Sequence, residues 1–543
     1  MATESDAPKR EPTPTAPLSS IPQKRALDEN HDHSPAVSSP LNPDNRPSDS
    51  LPPDDGTQPN RSKSARAKKD SFKKREAKGT DSARATPEPR SQKAPEQAEA
   101  SPLRYKLAPP KTSDFEPPRG PVLSSHHKAS GQAGEETEFF ETSDHVFNKK
   151  NFRYTHCIAD PLFPSMIYYR QTEPEPFGPR MSYEDAAAHV YFDSTARQVT
   201  TDKGFRMARA NVAVREGRWY WECKVTQGIH KTQEGETKPQ GGVRHVRMGW
   251  ARREASLDAP VGFDAYSYGI RDVTGEKVFM SRPKNFFPPG EPIQEGDVIG
   301  LEIQLPSERL HRNVVTGNYN PAVDPHEEGQ PRRTAEGPNI VRDRVPIRFK
   351  AHTYFEKIEY HATKELEDLM NPSPAGSGGS MSDGNFNPLH PKPAMRTLPN
   401  SHIRIYKNGK LMGTAFENLL GFLPPASKPM PQVGAREGLD DGMLGYYPAV
   451  SIFRGGAAEV NFGPKFWYPP PESSGDEPEM RPLSERYQEQ IAEDVVYDVI
   501  DEVDFWMQDG AGATDRSGVI DKSNQVSMAP GREEIKELVQ EDY

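Results

Sequence analysis

The chain has 543 residues and a formal net charge of −11, and only 33% of its residues are hydrophobic while 56 are prolines. A chain so poor in apolar residues cannot bury its whole length, which excludes one compact fold and predicts long disordered parts. Two cysteines, Cys157 and Cys223, are too few for a four-thiolate zinc site. The sequence has neither a signal-peptide core nor an apolar run of about 20 residues. We therefore expect a soluble intracellular protein that binds no metal or cofactor and does not contact a membrane.

Residues 1–145 are rich in proline, serine and charged residues, and we predict a disordered tail. Within it, residues 61–78 carry nine basic and two acidic side chains. This cluster resembles a nuclear import signal, although a solvated linker fits the composition equally well. Lysine-rich arms also bind DNA phosphates without reading sequence. The candidate residues for nuclear import or DNA contact are Lys68, Lys69, Lys73, Lys74 and Arg75.

Short runs rich in aromatic and β-branched residues fill residues 146–305. In the run from Trp219 to Val225, alternate side chains share one face because a strand repeats every two residues. Similar runs lie at 190–192, 246–250 and 298–305. Many short strands without alternating helices predict a mainly β fold, an antiparallel β-sandwich.

Residues 306–400 break this pattern, because proline, glycine, asparagine and arginine dominate there. We predict a long, largely disordered insertion, with a local hairpin or edge strand over 348–355; such a loop is tolerable because closure entropy grows slowly with length. The sandwich then resumes over 401–470, where Asn408-Gly409 predicts a two-residue hairpin turn. Strands are predicted at 402–407, 447–453 and 459–462.

An acidic linker over 471–483 is expected to precede an amphipathic helix over 484–506, with Ser484 as N-cap, and a flexible tail over 507–543. The helix would be about 33 Å long, and its many β-branched residues favour folding in the groove of a partner. The alternative is a helix packed back on its own sandwich. The apolar stripe consists of Ile491, Ala492, Val495, Val496, Val499, Ile500 and Val503.

Several motifs in this order resemble a SPRY domain. They include KGFRMARANVAVREGRWYWECKV (203–225) and HVRMGWARREASLDAPVGFDAYSYGIRD (245–272), and they continue at 296–306, 403–419 and 446–470. The second motif is more specific and resembles the Ash-two-like / Bre-two subunits of COMPASS-type histone H3 lysine-4 methyltransferase complexes. The resemblance covers about 145–305 and 400–506. Animal members carry a cysteine-rich zinc finger and a winged helix that this chain lacks, so it is similar to the shorter fungal type.

The resemblance implies a groove that holds an acidic segment of a WD-repeat subunit of the Rb-binding-protein-five or Swd-one type. Two guanidiniums would bind carboxylates in bidentate fashion over an apolar floor. Many animal members have tyrosine where this chain has Phe205 and Phe263. From the residues alone, the arginine at 247 could instead balance a strand-edge acid, and both phenyl rings could be core. The implied site is Phe205, Arg247, Pro260, Phe263 and Arg271.

The resemblance also implies that 494–504 inserts into the dimeric helical groove of a Dpy-thirty / Sdc-one-type subunit. The expected protein is a nuclear, non-catalytic scaffold that joins these subunits to a SET-domain methyltransferase and the nucleosome. The sequence contains no nucleophile elbow, His-Glu-x-x-His motif or phosphate-binding loop. Another SPRY peptide-binding adaptor, such as a ubiquitin-ligase substrate receptor, stays open as the alternative, but ligase adaptors carry a RING, B-box or SOCS-like element in place of the helix.

Overall fold

The fold is taken from a computed structural model, whose described residues all belong to one compact unit, Lys93–Tyr543. The five basic candidates from Lys68 to Arg75 lie outside the described residues. The described residues are 105–106, 110–118, 120–130, 136–142, 154–160, 169–230, 243–327, 340–342, 344, 346–349, 352–370, 385–430, 438–470, 478–509, 533–534 and 536–537.

Strands dominate the described part of the chain. In chain order they are β1 (Tyr105–Lys106), β2 (Leu123–Ser130), β3 (Glu136–Thr142), β4 (Tyr154–Ala159), β5 (Tyr169–Gln171), β6 (Met181–Ala186), β7 (Tyr191–Phe192), β8 (Gln198–Thr200), β9 (Arg206–Ala210), β10 (Gly217–Gln227), β11 (His245–Ala251), β12 (Ser267–Arg271), β13 (Lys277–Phe279), β14 (Arg282–Lys284), β15 (Val298–Leu305), β16 (Pro346–Phe349), β17 (His352–Glu356), β18 (Tyr360–His361), β19 (His402–Lys407), β20 (Lys410–Glu417), β21 (Lys428–Pro429), β22 (Tyr447–Phe453), β23 (Ala457–Asn461), β24 (Arg481–Pro482), β25 (Glu533–Glu534) and β26 (Lys536–Glu537).

Helices are fewer in the described residues. The α-helices are α1 (Glu308–Thr316), α2 (Asp324–Glu327), α3 (Lys364–Met370) and α4 (Leu483–Asp509), and short 3-10 helices span Thr112–Phe115 and Pro393–Met395. None of the described helices is both long and apolar enough to cross a membrane.

Two large sheets form the predicted antiparallel sandwich. The first runs β2-β3-β7-β8-β23-β10-β15-β19-β20, with β24 added in parallel to β10, and the second runs β14-β13-β12-β11-β22-β9-β6. Their inner faces share one hydrophobic core. Trp221 of the first sheet meets Trp250 of the second edge-on, with ring centroids 6.2 Å apart. Three smaller sheets, β26-β16-β17-β4-β5, β18-β21 and β1-β25, complete the described strands.

Most of the strands predicted from alternation are confirmed. Trp219, Trp221, Cys223 and Val225 are all buried in the shared core, as the period of two requires. The predicted Asn408-Gly409 turn is also confirmed, because both residues have the positive φ angles, 50° and 79°, of a type I′ turn. Local sequence therefore determined the central strands and their faces.

The prediction of a largely disordered insertion is wrong for its described part. Helix α1 begins after Ser307, whose side chain accepts from the Leu310 backbone N–H, and ends at Gly317 with a φ of 88°. Leu310 and Val314 pack into the main core, and Leu366 of α3 is fully buried there. Strands β16 and β17 form the expected local hairpin. The described part of the insertion is ordered because these side chains extend the sandwich core.

The predicted disordered tail is wrong at its end, where β2 and β3 form a hairpin on the edge of the first sheet. Phe140 of β3 is the register partner of Phe192 in β7. The neighbouring Phe139 is buried and packs with Tyr191 and Ala457. Two adjacent phenylalanines thus anchor a segment whose overall composition is polar.

Helix α4 begins one residue earlier than predicted. Leu483 is its first residue and is fully buried in the core, while Ser484 lies inside the helix and donates its N–H to the Phe462 carbonyl at 2.9 Å. The prediction of Ser484 as N-cap is therefore wrong. Of the predicted acidic linker, residues 471–477 lie outside the described part, as does the predicted flexible tail apart from 507–509, β25 and β26.

Candidate protein-binding surfaces

Strand register brings the two predicted arginines side by side. Arg247 lies on β11 and pairs with Arg271 on β12 and with Ser451 on β22. Cross-strand partners point to the same face of a sheet. Phe205 directly precedes β9 of the same sheet, which pairs with β22. The two guanidiniums therefore emerge from one outer face of the second sheet.

An aromatic pair supports the first of these guanidiniums. The Arg247 guanidinium carbon lies 4.7 Å from the centre of the Phe205 ring, and this ring lies 4.9 Å from that of Phe453. A cation over an aromatic face is stabilised by about 0.5–2 kcal/mol, depending on desolvation. Phe453 was not among the predicted site residues, since only the strand pairing places it here. Phe205 is half-buried.

The charge of Arg247 is not balanced by a carboxylate in direct contact among the described residues. Burial and the neighbouring Arg271 lower its pKa to about 10, so it stays charged at neutral pH. The nearby acids have other partners, because Asp272 accepts from the Val246 N–H at 3.0 Å and Glu276 binds Arg271 at 2.8 Å. Within the described part of the chain, Arg271 also keeps a buried Nε without a hydrogen-bond partner. Asp272 and Glu276 act on the pKa of Arg247 in the opposite direction and raise it, but neither carboxylate is in contact with Arg247 within the described chain.

A loop carries the two remaining predicted residues across the same outer face. The Val261 N–H donates to the Ser451 hydroxyl at 3.0 Å, and Ser451 is the register partner of Arg247. Pro260 precedes this contact and is partly exposed. Phe263 follows it and is 50% exposed, so it is not a core residue. We call Phe205, Arg247, Pro260, Phe263 and Arg271 the arginine surface.

Helix α4 presents its predicted apolar stripe to solvent. Six large apolar side chains are between 43% and 55% exposed, and Ala492 is exposed beside them. Exposed apolar residues in one contiguous row are unusual on a protein surface and mark an interaction site. We call the following residues the valine stripe: Ile491, Ala492, Val495, Val496, Val499, Ile500 and Val503.

The acidic face of α4 is bound to the chain itself. Arg342, which lies between α2 and β16, contacts Asp494 at 2.6 Å and Asp498 at 2.5 Å. Arg344 adds contacts to the same two carboxylates at 3.0 and 3.3 Å. Asp501 lies 3.6 Å from Arg342. These five residues form what we call the arginine–aspartate latch.

The latch holds charged groups away from water. Burial raises the pKa of Asp498, and it raises that of Asp501 to about 6 although Arg342 and Arg344 act in the opposite direction. The aspartates in turn raise the pKa of Arg344 despite its burial. Desolvation is thus only partly offset by the ion pairs at Asp498, Asp501 and Arg342, whereas at Arg344 the aspartates outweigh it.

The first turns of α4 are fixed to the sandwich by hydrogen bonds. Arg486 donates to the Ala213 carbonyl at 3.0 Å, and Gln490 donates to the Asn211 carbonyl at 3.0 Å. Tyr487 is buried in the main core and donates its hydroxyl to Glu173. The helix thus packs back on its own sandwich, as the alternative interpretation held. It does so through Leu483 and Tyr487 at its start and through polar and acidic groups further along, and the valine stripe stays exposed.

Curated relatives match along most or all of this chain, although no family model matches it. COMPASS component cclA of Colletotrichum higginsianum is 58% identical over all of both chains. COMPASS component cclA of Aspergillus fumigatus is 41% identical over 90% of this chain and 81% of its own. The chain belongs to this family of COMPASS components. Set1 complex component ash2 of Schizosaccharomyces pombe is a further member, 39% identical over 74% of this chain and 52% of its own.

Solved structures of SPRY domains match more distantly. The SPRY domain of human HERC1 covers 52% of this chain and 96% of its own, at 11% identity and a TM-score of 0.23.

Proposed function

We propose that this chain is a non-catalytic scaffold subunit of a nuclear, COMPASS-type histone H3 lysine-4 methyltransferase complex. The relatives that match most of its length are named as components of COMPASS or of the Set1 complex. The observation that supports the proposal is that two separate exposed surfaces lie on one compact unit. One is the arginine surface, and the other is the valine stripe.

The arginine surface would bind an acidic segment of the WD-repeat subunit. Support comes from Arg247, which is charged, half-buried and without a carboxylate in contact among the described residues. A carboxylate placed over it would gain a charge-assisted hydrogen bond in a partly desolvated site. The exposed ring of Phe263 would shield that bond from water.

The valine stripe would bind the small Dpy-thirty / Sdc-one-type dimer. A row of exposed valine and isoleucine side chains along α4 fits a groove between two helices. The latch supports this proposal as well, because it holds the acidic face of α4 inward and so turns the apolar face outward. A preformed helix also binds without the entropy cost of folding.

The basic cluster at 61–78 would add nuclear import or non-specific contact with nucleosomal DNA. Deleting these residues and measuring how DNA affinity falls with salt tests the DNA contact. If the affinity of the shortened chain for DNA depends less steeply on salt concentration, the DNA contact is supported. If the salt dependence is unchanged, residues 61–78 do not contact DNA.

Affinity purification of the tagged chain from nuclear extract of its own cells tests the proposed function. We expect a SET-domain subunit, a WD-repeat subunit and a small helical dimer to co-purify in fixed ratio. Recovery of the chain alone, or with ubiquitin-ligase subunits, would contradict the proposal.

A further inference from the structure

The turn between β22 and β23 carries a further arginine beside the arginine surface. Phe453 ends β22, and the Gly456 N–H donates to the Phe453 carbonyl at 3.0 Å, which closes a two-residue hairpin turn over Arg454 and Gly455. The Phe453 ring lies 4.9 Å from that of Phe205. The turn therefore begins next to the aromatic pair of the arginine surface. We call residues 453–456 the Arg454 turn.

Arg454 has a backbone conformation that arginine does not favour. Its φ is 46° and that of Gly455 is 82°, which is the pattern of a type I′ turn. Asparagine, aspartate or glycine is preferred at the first of these positions, because most other side chains crowd the backbone at positive φ. The turn at Asn408-Gly409 uses the preferred pair, with φ angles of 50° and 79°. Arginine at position 454 is therefore not explained by the stability of the turn, which points to a role for its side chain.

Two guanidiniums at this turn have no carboxylate in contact within the part of the chain that the structure describes. Arg454 is exposed, and its guanidinium carbon lies 5.0 Å from the centre of the Phe453 ring. Arg244 lies beside the turn, since its Nε is 3.6 Å from the position that a Cβ on Gly455 would take. Both cations are therefore free to bind an anion from outside the described chain.

Two carboxylates near the turn contact other cations. The Arg454 N–H donates to the Lys203 carbonyl at 2.8 Å, which places the turn against that segment. The neighbouring Asp202 contacts the Lys203 amine at 3.2 Å, and Asp258 lies 3.6 Å from the Arg206 guanidinium. Neither acid is in contact with a guanidinium of the turn, so positive charge prevails there.

We propose that the Arg454 turn and Arg244 extend the arginine surface, so that one acidic peptide segment binds to both. A segment that places one carboxylate on Arg247 would cross the rings of Phe205 and Phe453. Its next carboxylates would then reach Arg454 and Arg244. Charge complementarity selects this occupant, because guanidiniums without carboxylates favour an acidic partner over a neutral one. The inference rests on the proposed function, since its occupant is the acidic segment proposed for the arginine surface.

Fluorescence polarisation of the full chain with a labelled hexaglutamate peptide tests this extension. Arg454→Asn is the informative variant, because asparagine suits the positive φ while its neutral amide replaces the guanidinium. We expect the affinity for hexaglutamate to fall about threefold to fivefold, as for loss of one exposed ion pair, and the thermal unfolding midpoint to stay equal or rise. Lys410→Asn is the matched control, because it removes a cation beside the Asn408-Gly409 turn and should bind hexaglutamate like the native chain.

The outcomes separate this extension from the arginine surface itself. Weaker hexaglutamate binding in both Arg247→Ala and Arg454→Asn supports one continuous site. A loss in Arg247→Ala alone overturns the extension and keeps the arginine surface, and a loss in Arg454→Asn alone overturns the continuous site.

Three further results would also overturn the inference. They are no hexaglutamate binding by the native chain, an equal loss in Lys410→Asn, which would show unspecific charge attraction, and tighter binding of labelled hexathymidylate, which would assign the turn to nucleic acid. Affinity purification from nuclear extract reports on the proposed function independently of these probes.

Discussion

Two of the pairs of neighbouring arginines in the described chain have opposite surroundings. Arg342 and Arg344 are nearly buried and contact three aspartates of α4, with distances from 2.5 to 3.6 Å. In the other pair, Arg271 binds Glu276 while Arg247 contacts an aromatic ring and no carboxylate of the described chain. The same residue type therefore serves a structural role where the chain supplies the anion, and it is the residue for which we propose a docking role where the described chain does not.

The comparison also separates the two faces of α4. The acidic face of α4 contacts the rest of the protein, whereas the apolar face, which the sequence pattern would place in a core, is exposed. A surface helix ordinarily buries its apolar stripe. In α4 the apolar stripe is exposed instead. This is explained if the latch holds the helix in place and leaves the valine stripe for a partner.

The largest expected effect belongs to the valine stripe. Val496→Asp should weaken binding of the purified small dimer at least about 100-fold, because burial of an unpaired carboxylate costs several kcal/mol. Val496 is 55% exposed, so circular dichroism should show unchanged helix content. Calorimetry measures the affinity, and Val496→Leu, which keeps the apolar surface, should bind within a few-fold of the native chain. Native affinity in Val496→Asp would rule out the stripe as the contact.

Arg342→Ala tests the latch. The change leaves Asp498 and Asp501 with a single arginine, and loss of one partner of a buried ion pair costs about 3–5 kcal/mol unless the helix moves into water. We expect the second half of α4 to leave the sandwich, so that its amide hydrogens exchange at least about tenfold faster. Hydrogen-exchange mass spectrometry measures this. Lys410→Ala is the control, and equal exchange in Arg342→Ala and that control would show that the latch does not hold the helix.

Arg247→Ala tests the unbalanced arginine. The substitution should lower the affinity for an acidic segment of the WD-repeat partner by about 10- to 100-fold, the usual range for loss of a charge-assisted contact in an interface. The thermal unfolding midpoint should hardly change, since no ion pair within the described chain is broken. Arg247→Lys should retain part of the affinity, because lysine keeps the charge but cannot form a bidentate contact. An unchanged affinity in Arg247→Ala would remove this residue from the site.

The smallest effect is a pH dependence of the latch. The pKa of Asp501 is raised from 3.8 to about 6, so the folded chain keeps a proton that the unfolded chain loses, and stability from this group falls as pH rises through that window. Asp501→Asn does not titrate. Its free energy of unfolding relative to the native chain should therefore rise between about pH 4 and pH 6, by at most about 3 kcal/mol, and then level off. Urea unfolding across this range measures the difference, and a flat or falling difference would contradict the assigned pKa shift.

The central strands could be predicted from sequence because their alternation is strong. Trp219, Trp221 and Cys223 reveal a buried face within a few residues, and Asn408-Gly409 fixes a hairpin without knowledge of the rest. Helix α1 was missed because its surroundings are rich in proline and asparagine. The signal was nevertheless present, as Ser307 and Gly317 stand at the two ends of a short apolar repeat.

The contacts of α4 could not be predicted in the same way. Helical periodicity shows which residues share a face, but it does not show which face touches the protein. The partners Arg342 and Arg344 lie about 150 residues earlier, in a segment whose composition indicates disorder. The arrangement of the arginine surface could not be predicted from sequence either. Motif resemblance selected Arg247 and Arg271, but only the strand register shows that they lie side by side.

Capture of tagged variants from nuclear extract tests most directly whether one compact unit carries two independent docking surfaces. Arg247→Ala should lose the WD-repeat subunit and keep the small dimer, and Val496→Asp should lose the small dimer and keep the WD-repeat subunit. Quantitative mass spectrometry of the captured proteins gives both ratios in one experiment. If either variant lost both partners, or if both variants kept both partners, the chain would not carry two independent docking surfaces.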